Sequence, residues 1–462
     1  MNMSDTRTDS TDDVVDALRG SLKGGVVAPG DGDYDGARTI FYGGFDRHPA
    51  AIARVAGADD VARVIEIARE RGSELAVRSG GHSPAGHGTS DGGIVLDLSD
   101  MKAMDVDVDG RTAWAETGLT AGAYTVAAAA HGLATGFGDT GSVGIGGITL
   151  AGGVGYLVRK HGLTIDSLLG AEVVTADGRI LQVDETSEPD LFWAIRGGGG
   201  NVGVATRFRF RLHELPSIVG GLLMLPATTD TIEGFVAAAD AAPDELSTIV
   251  GVMKAPPMPF VPEEHHGKLV IMGLLAYAGD TEAGQRVVAP FRALAEPLAD
   301  MVRPMSYPEI YMPEPEGFHP IALGRTMFVD EVDSASIAAL VERLQEPSTA
   351  MMRATQIRAL GGAMARVPND ATAFAHRDRR FMLNVAAMVT SPEQLPEHEE
   401  WVDSLASDIQ RGPTGAYVGF LGDDGQAHIR DAYPHGAYGR LAEIKRRYDP
   451  DNLFRLNHNV MA

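Results

Sequence analysis

Apolar positions along the chain recur with two periods, and each period predicts a kind of element. Residues 59–71 place Val61, Val64, Ile65 and Ala68 on one face of a helix, with Asp59 or Asp60 available as its cap. Residues 13–22, 120–131 and 190–195 also read as helices, and Gly132 is a natural stop for the Ala-rich second one. Short apolar runs predict strands at 74–77, 93–98, 112–116 and 202–212. Residues 171–176 and 179–183 straddle Asp177-Gly178, a hairpin turn signal. Residues 24–36, rich in Gly and Asp, read as loop.

Around Pro216 the texture changes. Glycine thins out as far as Arg411, and strands and helices alternate at longer spacing. Strands are predicted at 218–224, 248–253, 269–277, 324–329 and 381–388, and helices at 231–241, 281–295, 334–345 and 399–410. This predicts an α+β fold whose second domain is a mainly antiparallel sheet covered by helices. The last segment, 437–459, reads as a helix that must stop before Pro450, then a tail.

Composition narrows the classes. The chain has 462 residues, and roughly 100–200 residues per domain implies two or three domains. Cysteine is absent, which excludes disulfides, thiolate metal sites and a cysteine nucleophile. The formal charge is −24. Such a surface repels nucleic acid and anionic membranes, so neither is expected as a partner. No stretch approaches the roughly 20 apolar residues of a membrane span, and the polar start has no signal-peptide pattern. A cytoplasmic protein is expected, with its first dozen residues disordered. His265-His266 lacks further ligands at metal spacing, so no metal site is expected.

The glycine motifs carry the chemistry. Gly198, Gly200 and Gly203 match the spacing of a dinucleotide fingerprint, but a β-patterned run, 204–210, follows them where that motif needs a helix. A nicotinamide-cofactor reading is therefore rejected, and a tight loop entering a strand explains the motif equally well. Gly80-Gly81 and the dense series Gly138, Gly141, Gly144, Gly146, Gly147, Gly152, Gly153 and Gly155 differ. Glycines let backbone approach a ligand closely, and consecutive free N–H groups form an anion nest suited to a diphosphate.

Arg78-Ser79-Gly80-Gly81-His82-Ser83 resembles the R-[SG]-G-G-H-[SN] stretch of berberine-bridge-enzyme-like FAD-linked oxidases, in the vanillyl-alcohol-oxidase (PCMH-type) superfamily. The run from Gly138 through Thr140, Gly141, Ser142, Val143 and Gly144 to Gly146-Gly147 is similar to their second flavin loop. Asp190-Leu191-Phe192-Trp193-Ala194-Ile195-Arg196 with the glycines after it, and the tail Tyr448-Asp449-Pro450-Asp451-Asn452-Leu453-Phe454, extend the likeness in order to the C-terminus.

The resemblance implies a PCMH-type FAD-binding domain in two parts. Its boundaries are an N-terminal segment 1–34, an FAD domain 35–215, a substrate domain 216–415 and a returning segment 416–462. It implies FAD held by the loops at 78–83 and 138–147, with Gly203 and Val204 by the nucleotide and Asn457 and Asn459 at the flavin edge. His82 would be the covalent anchor. Many relatives add a second link through cysteine where this chain has Thr140, so His82 would be the only tether. Val143 stands where a small residue goes with fast reaction with O2. Tyr417 resembles the family's C-terminal tyrosine base, although Gly419 replaces the usual Asn, and an unperturbed phenol with a pKa of about 10 needs help to ionise. His376 could touch substrate, though a structural role suits it better. The implied activity is an oxidase taking hydride from a small alcohol, sugar or secondary metabolite, with O2 as acceptor and H2O2 as product. A same-fold dehydrogenase and a non-catalytic flavin protein are the alternatives.

Overall fold

The computed structural model describes residues 11–315, 317–423 and 425–461. The disorder expected of residues 1–10 lies outside that range, whereas Thr11 and Asp12 already open a helix, Thr11–Arg19. Three large sheets and one two-stranded pair, Leu133–Ala134 with His213–Glu214, organise the described chain.

The first sheet has the order Gly25–Val27, Ala51–Arg54, Ile94–Asp97, Leu75–Arg78. Ile94–Asp97 pairs in parallel with both neighbours, and the helix Ala58–Arg71 provides the crossover between them. That helix buries Val61, Val64, Ile65 and Ala68, the face its apolar spacing predicts. Its cap differs from the expectation: Gly57 occupies the N-cap, and the Asp60 carboxylate instead accepts the backbone N–H of Lys23, Gly24 and Ala56 at 2.9–3.0 Å. The segment 24–36 is also not all loop. It contributes an edge strand and the start of the short helix Tyr34–Arg38.

The second sheet has five strands, ordered Met104–Asp107, Thr112–Glu116, Val204–Arg211, Leu168–Val174, Ile180–Val183. Gly178 turns the Asp177-Gly178 hairpin at φ +83°. The run after Gly203 is a strand, so the fingerprint glycines do not open a helix.

The third sheet is antiparallel throughout and has eight strands. Its centre runs Ile218–Pro226, Leu269–Tyr277, Leu246–Lys254, Met352–Ala359, Phe381–Val389, Ile321–Val329. The helices Thr229–Ala241, Ser334–Gln345 and Leu395–Ile409 cover one face, where Phe235, Leu340 and Val402 pack on Ile357, Leu383 and Val385. Strand alternation sends Gln356, Arg358 and Asn384 to the opposite face.

The helix Ala437–Tyr448 stops just before Pro450, as proline requires. The tail then returns to the first half of the chain. Lys445 Nζ and the Asp449 carboxylate form a buried pair at 3.1 Å; Nζ also donates to Asn201 O and Phe454 O, and the carboxylate accepts the N–H of Leu453 and Phe454. Leu453 and Phe454 join the core of the first sheet.

Candidate active site

A cavity of about 470 Å³ lies where the two glycine loops, the C-terminal tail and the uncovered face of the third sheet meet. Leu75–Arg78 ends in the first loop, and Arg78, Ser79, Gly80, Gly81, His82 and Ser83 all line the cavity. From the second loop Gly138, Thr140, Val143, Gly146 and Gly147 line it, as do Gly203, Val204 and Asn457. The loops interlock through glycine. A Cβ on Gly80 would stand 2.3 Å from Gly144 N, and one on Gly144 2.2 Å from Gly80 N, so no side chain fits at either position.

Some predicted residues stand apart. Ser142 supports His82 from behind, and Gly141 abuts Gly122 and the Cβ of Tyr311. Asn459 does not line the cavity; its backbone N–H and C=O pair with the Gln426 side chain. His376 is buried against Phe328, ring centroids 4.3 Å apart, and does not reach the cavity either. Burial pushes its pKa down to about 4.

The residues present suit an anionic, hydrogen-bonding cofactor. Arg78 spends Nη2 on Asp97 at 2.7 Å, and its buried Nη1 has no partner among the described residues. Asn457 donates to Gly200 O and Phe454 O, while its buried Oδ1 is likewise unpaired. Buried polar atoms are rarely left unsatisfied, so two of them on a glycine-lined cavity mark places for ligand groups.

His82 is stacked on Phe41 with centroids 3.9 Å apart, and its Nε2 lies 3.0 Å from Ser142 Oγ. Burial pushes its pKa down to about 4, so the imidazole is neutral at pH 7. At the sheet side Tyr417 is buried; its Oη accepts the Gly153 N–H at 3.0 Å and its own N–H donates to Thr326 Oγ1. Burial raises the Tyr417 pKa, and this outweighs the lowering by the Gly153 N–H and by the Arg358 cation. Its phenol therefore keeps its proton at neutral pH.

Sequence reasoning missed Phe41, Asp139, Gln356, Arg358 and Asn384, which all line the cavity. Gln356 and Arg358 leave a faint signal. They are polar residues two apart in an otherwise β-compatible run, which is what one wet strand face produces.

The profile of an FAD binding domain matches residues 49–184, and that of the berberine and berberine-like segment matches 416–461. (R)-6-hydroxynicotine oxidase of Paenarthrobacter nicotinovorans is 31% identical over 456 residues, covering 95% of this chain and 97% of the relative. The chain belongs to the berberine-bridge-enzyme-like FAD-linked oxidases.

Solved structures agree with this family. That of 6-hydroxy-D-nicotine oxidase from Arthrobacter nicotinovorans is 29% identical, with a TM-score of 0.85 over 95% of this chain and 98% of its own. Glucooligosaccharide oxidase from Acremonium strictum, described with a 6-S-cysteinyl, 8α-N1-histidyl FAD, has a TM-score of 0.83 at 24% identity over 97% and 98% of the two chains, and shares the fold. As a family member the chain is an FAD-linked oxidoreductase. Among the described residues no helix is long and apolar enough to cross a membrane.

Proposed function

We propose that the protein is an FAD-dependent oxidase of a small organic substrate, with the cofactor tethered once, through His82. The observation that carries this reading is the cavity itself. One end holds a half-buried, neutral histidine beside two interlocked glycine loops, and the other end is roofed by polar side chains of the third sheet. When bound, FAD supplies a two-electron acceptor that takes hydride at N5 from a substrate carbon and is reoxidised by O2, giving H2O2.

The residues have separate tasks. Arg78 Nη1 and the backbone N–H groups of both glycine loops bind the diphosphate, with Gly203 and Val204 by the nucleotide. Asn457 Oδ1 accepts from the cofactor edge. Ser142 Oγ faces His82 Nε2 at 3.0 Å, and by accepting Nε2–H it would hold the tautomer whose Nδ1 lone pair is free for attachment. Phe41 holds the ring in plane. A tether at His82 matches the histidyl link described for glucooligosaccharide oxidase. The cysteinyl link has no counterpart, since Thr140 stands in the loop and the chain has no cysteine. Val143, small and on the cavity wall, leaves room for O2. Tyr417 retains its proton, so it orients substrate as a hydrogen-bond donor rather than serving as a ready-made base.

A stopped-flow experiment tests the reading. The purified yellow protein is mixed anaerobically with a panel of alcohols, amines and sugars, and the reduced form is then mixed with air-saturated buffer. Bleaching by at least one substrate, then reoxidation within seconds with stoichiometric H2O2, is expected. Flavin that stays reduced for minutes in air would favour the same-fold dehydrogenase instead.

A further inference from the structure

The sheet side of the cavity carries a polar cluster that the glycine loops do not account for. Gln356 and Asn384 are directly paired across two neighbouring strands, with Gly251 opposite Gln356 on the next strand. Arg358 stands two residues along on the same face. It is buried and makes four hydrogen bonds to three partners. Nε and Nη2 both donate to Gln356 Oε1, at 3.0 and 2.7 Å. Nη2 also donates to Asp139 Oδ2 at 2.6 Å, and Nη1 to Val154 O at 2.7 Å. Four of the five guanidinium N–H bonds are thus committed within the protein.

Two consequences follow for anything that enters. The first concerns charge. Asp139 is the only carboxylate among the described residues that line the cavity, and Arg358 neutralises it; Arg78 is paired with Asp97. An anion would have to displace Asp139 from Arg358, and a cation would meet a carboxylate already spent on Arg358. Neither charge is matched. The second concerns hydrogen-bond direction. An amide whose oxygen takes two guanidinium N–H bonds must turn its NH2 elsewhere. Gln356 Nε2 meets no acceptor among the described residues, and Gln356 lines the cavity. It is a fixed donor aimed at the substrate space. The walls beside it are apolar: Phe420 lies under the Arg358 guanidinium at 5.3 Å, and Met388 lines the same side.

We propose that the site selects an uncharged substrate bearing an acceptor oxygen next to an apolar body, that Gln356 Nε2 donates to that oxygen, and that Arg358 is a positioning residue that locks the amide and cancels Asp139. This deepens the FAD-oxidase reading and rests on it.

The test is equilibrium binding to the holoenzyme, read as a shift of the flavin absorption band with no turnover needed. The probes are benzamide, benzoate and benzylammonium at pH 7, which share a ring and differ in charge. Benzamide is expected to bind at least about tenfold more tightly than either ion. Gln356→Leu removes the donor, so benzamide should weaken about tenfold, the scale of one hydrogen bond, while benzylammonium, which has no acceptor, is unchanged. Arg358→Gln leaves Asp139 uncompensated, so benzylammonium should gain affinity while benzamide loses it. A merely structural arginine would weaken all three alike. Should Arg358→Gln not fold, Gln356→Leu and Gln356→Glu decide, the latter rejecting benzoate further. The proposal is overturned by tighter wild-type binding of benzoate, by unchanged benzamide affinity in Gln356→Leu, or by no band shift with benzamide. Purified protein without a flavin band would refute the FAD reading itself, before any probe is added.

Discussion

Gly80→Ala tests the interlock between the glycine loops. An alanine Cβ would lie 2.3 Å from Gly144 N and 2.8 Å from its Cα, where ordinary contact begins near 3.4 Å. The loops must separate by about 1 Å, because backbone atoms cannot rotate away. Both loops are pinned. Val143 O accepts from Ala121 N and Ile145 N donates to Leu119 O on one side, while Ser79 Oγ donates to Thr117 O at 2.5 Å on the other. Separation therefore costs the overpacking, about 1–3 kcal/mol, and roughly one hydrogen bond, about 1 kcal/mol. A total of about 2–4 kcal/mol is less than the usual 5–15 kcal/mol of domain stability, so the protein still folds. Set against cofactor binding, the same energy is about 30- to 1000-fold. The assay is the ratio of flavin to protein absorbance after purification, alongside a thermal melt. A melt lowered by several degrees and largely colourless protein are expected. Full flavin loading with an unchanged melt would show that the loops do not interlock.

Other changes separate stability from cofactor binding. Gly147 faces open cavity space and sits in the helix Ile145–Ala151, so Gly147→Ala should keep or raise the melting temperature while flavin loading falls; equal loading would place the cofactor elsewhere. Asp449→Ala leaves the buried Lys445 ammonium without a counter-charge and two N–H groups without an acceptor, and a loss of about 3–5 kcal/mol in urea unfolding is expected; a loss under 1 kcal/mol contradicts that. Six histidines resist protonation chiefly through burial: His82, His213 and His376 are pushed down to about 4, His87 and His161 to about 3, and His398 is also lowered, against 6.5 when unfolded. Between those values the unfolded chain binds more protons, so stability should fall as pH drops from 6.5 towards 4. A urea midpoint that holds steady or rises from pH 7 to 5 refutes this. Tyr417→Phe should lower kcat without removing any rate-controlling ionisation near neutrality, since the phenol is already protonated there; loss of a neutral-pH limb from the profile would restore the base role.

The fold was legible where one face of an element is apolar and the other is not needed for chemistry. Leu269–Tyr277 and Ser334–Gln345 carry uninterrupted patterns and stand where those patterns put them. Met352–Ala359 did not read as a strand, because Gln356 and Arg358 occupy the positions that apolar residues would have marked. Ala51–Arg54 escaped for another reason: four residues are too few to show a period. The glycine loops were legible because each is contiguous. The Asp139–Arg358 pair was not, since it joins a loop and a strand 219 residues apart, and only the tertiary fold brings them together. Asn459 and His376 lie within a few residues of segments that reach the cavity, and sequence position alone cannot tell which side chains turn inward.

The single tether at His82 is tested most directly by acid precipitation. The wild-type protein and His82→Ala are denatured in acid, and pellet and supernatant are read at the flavin band. The colour should stay entirely with the wild-type pellet and pass entirely to the supernatant for His82→Ala. Flavin released from wild type, or retained by His82→Ala, would contradict the account.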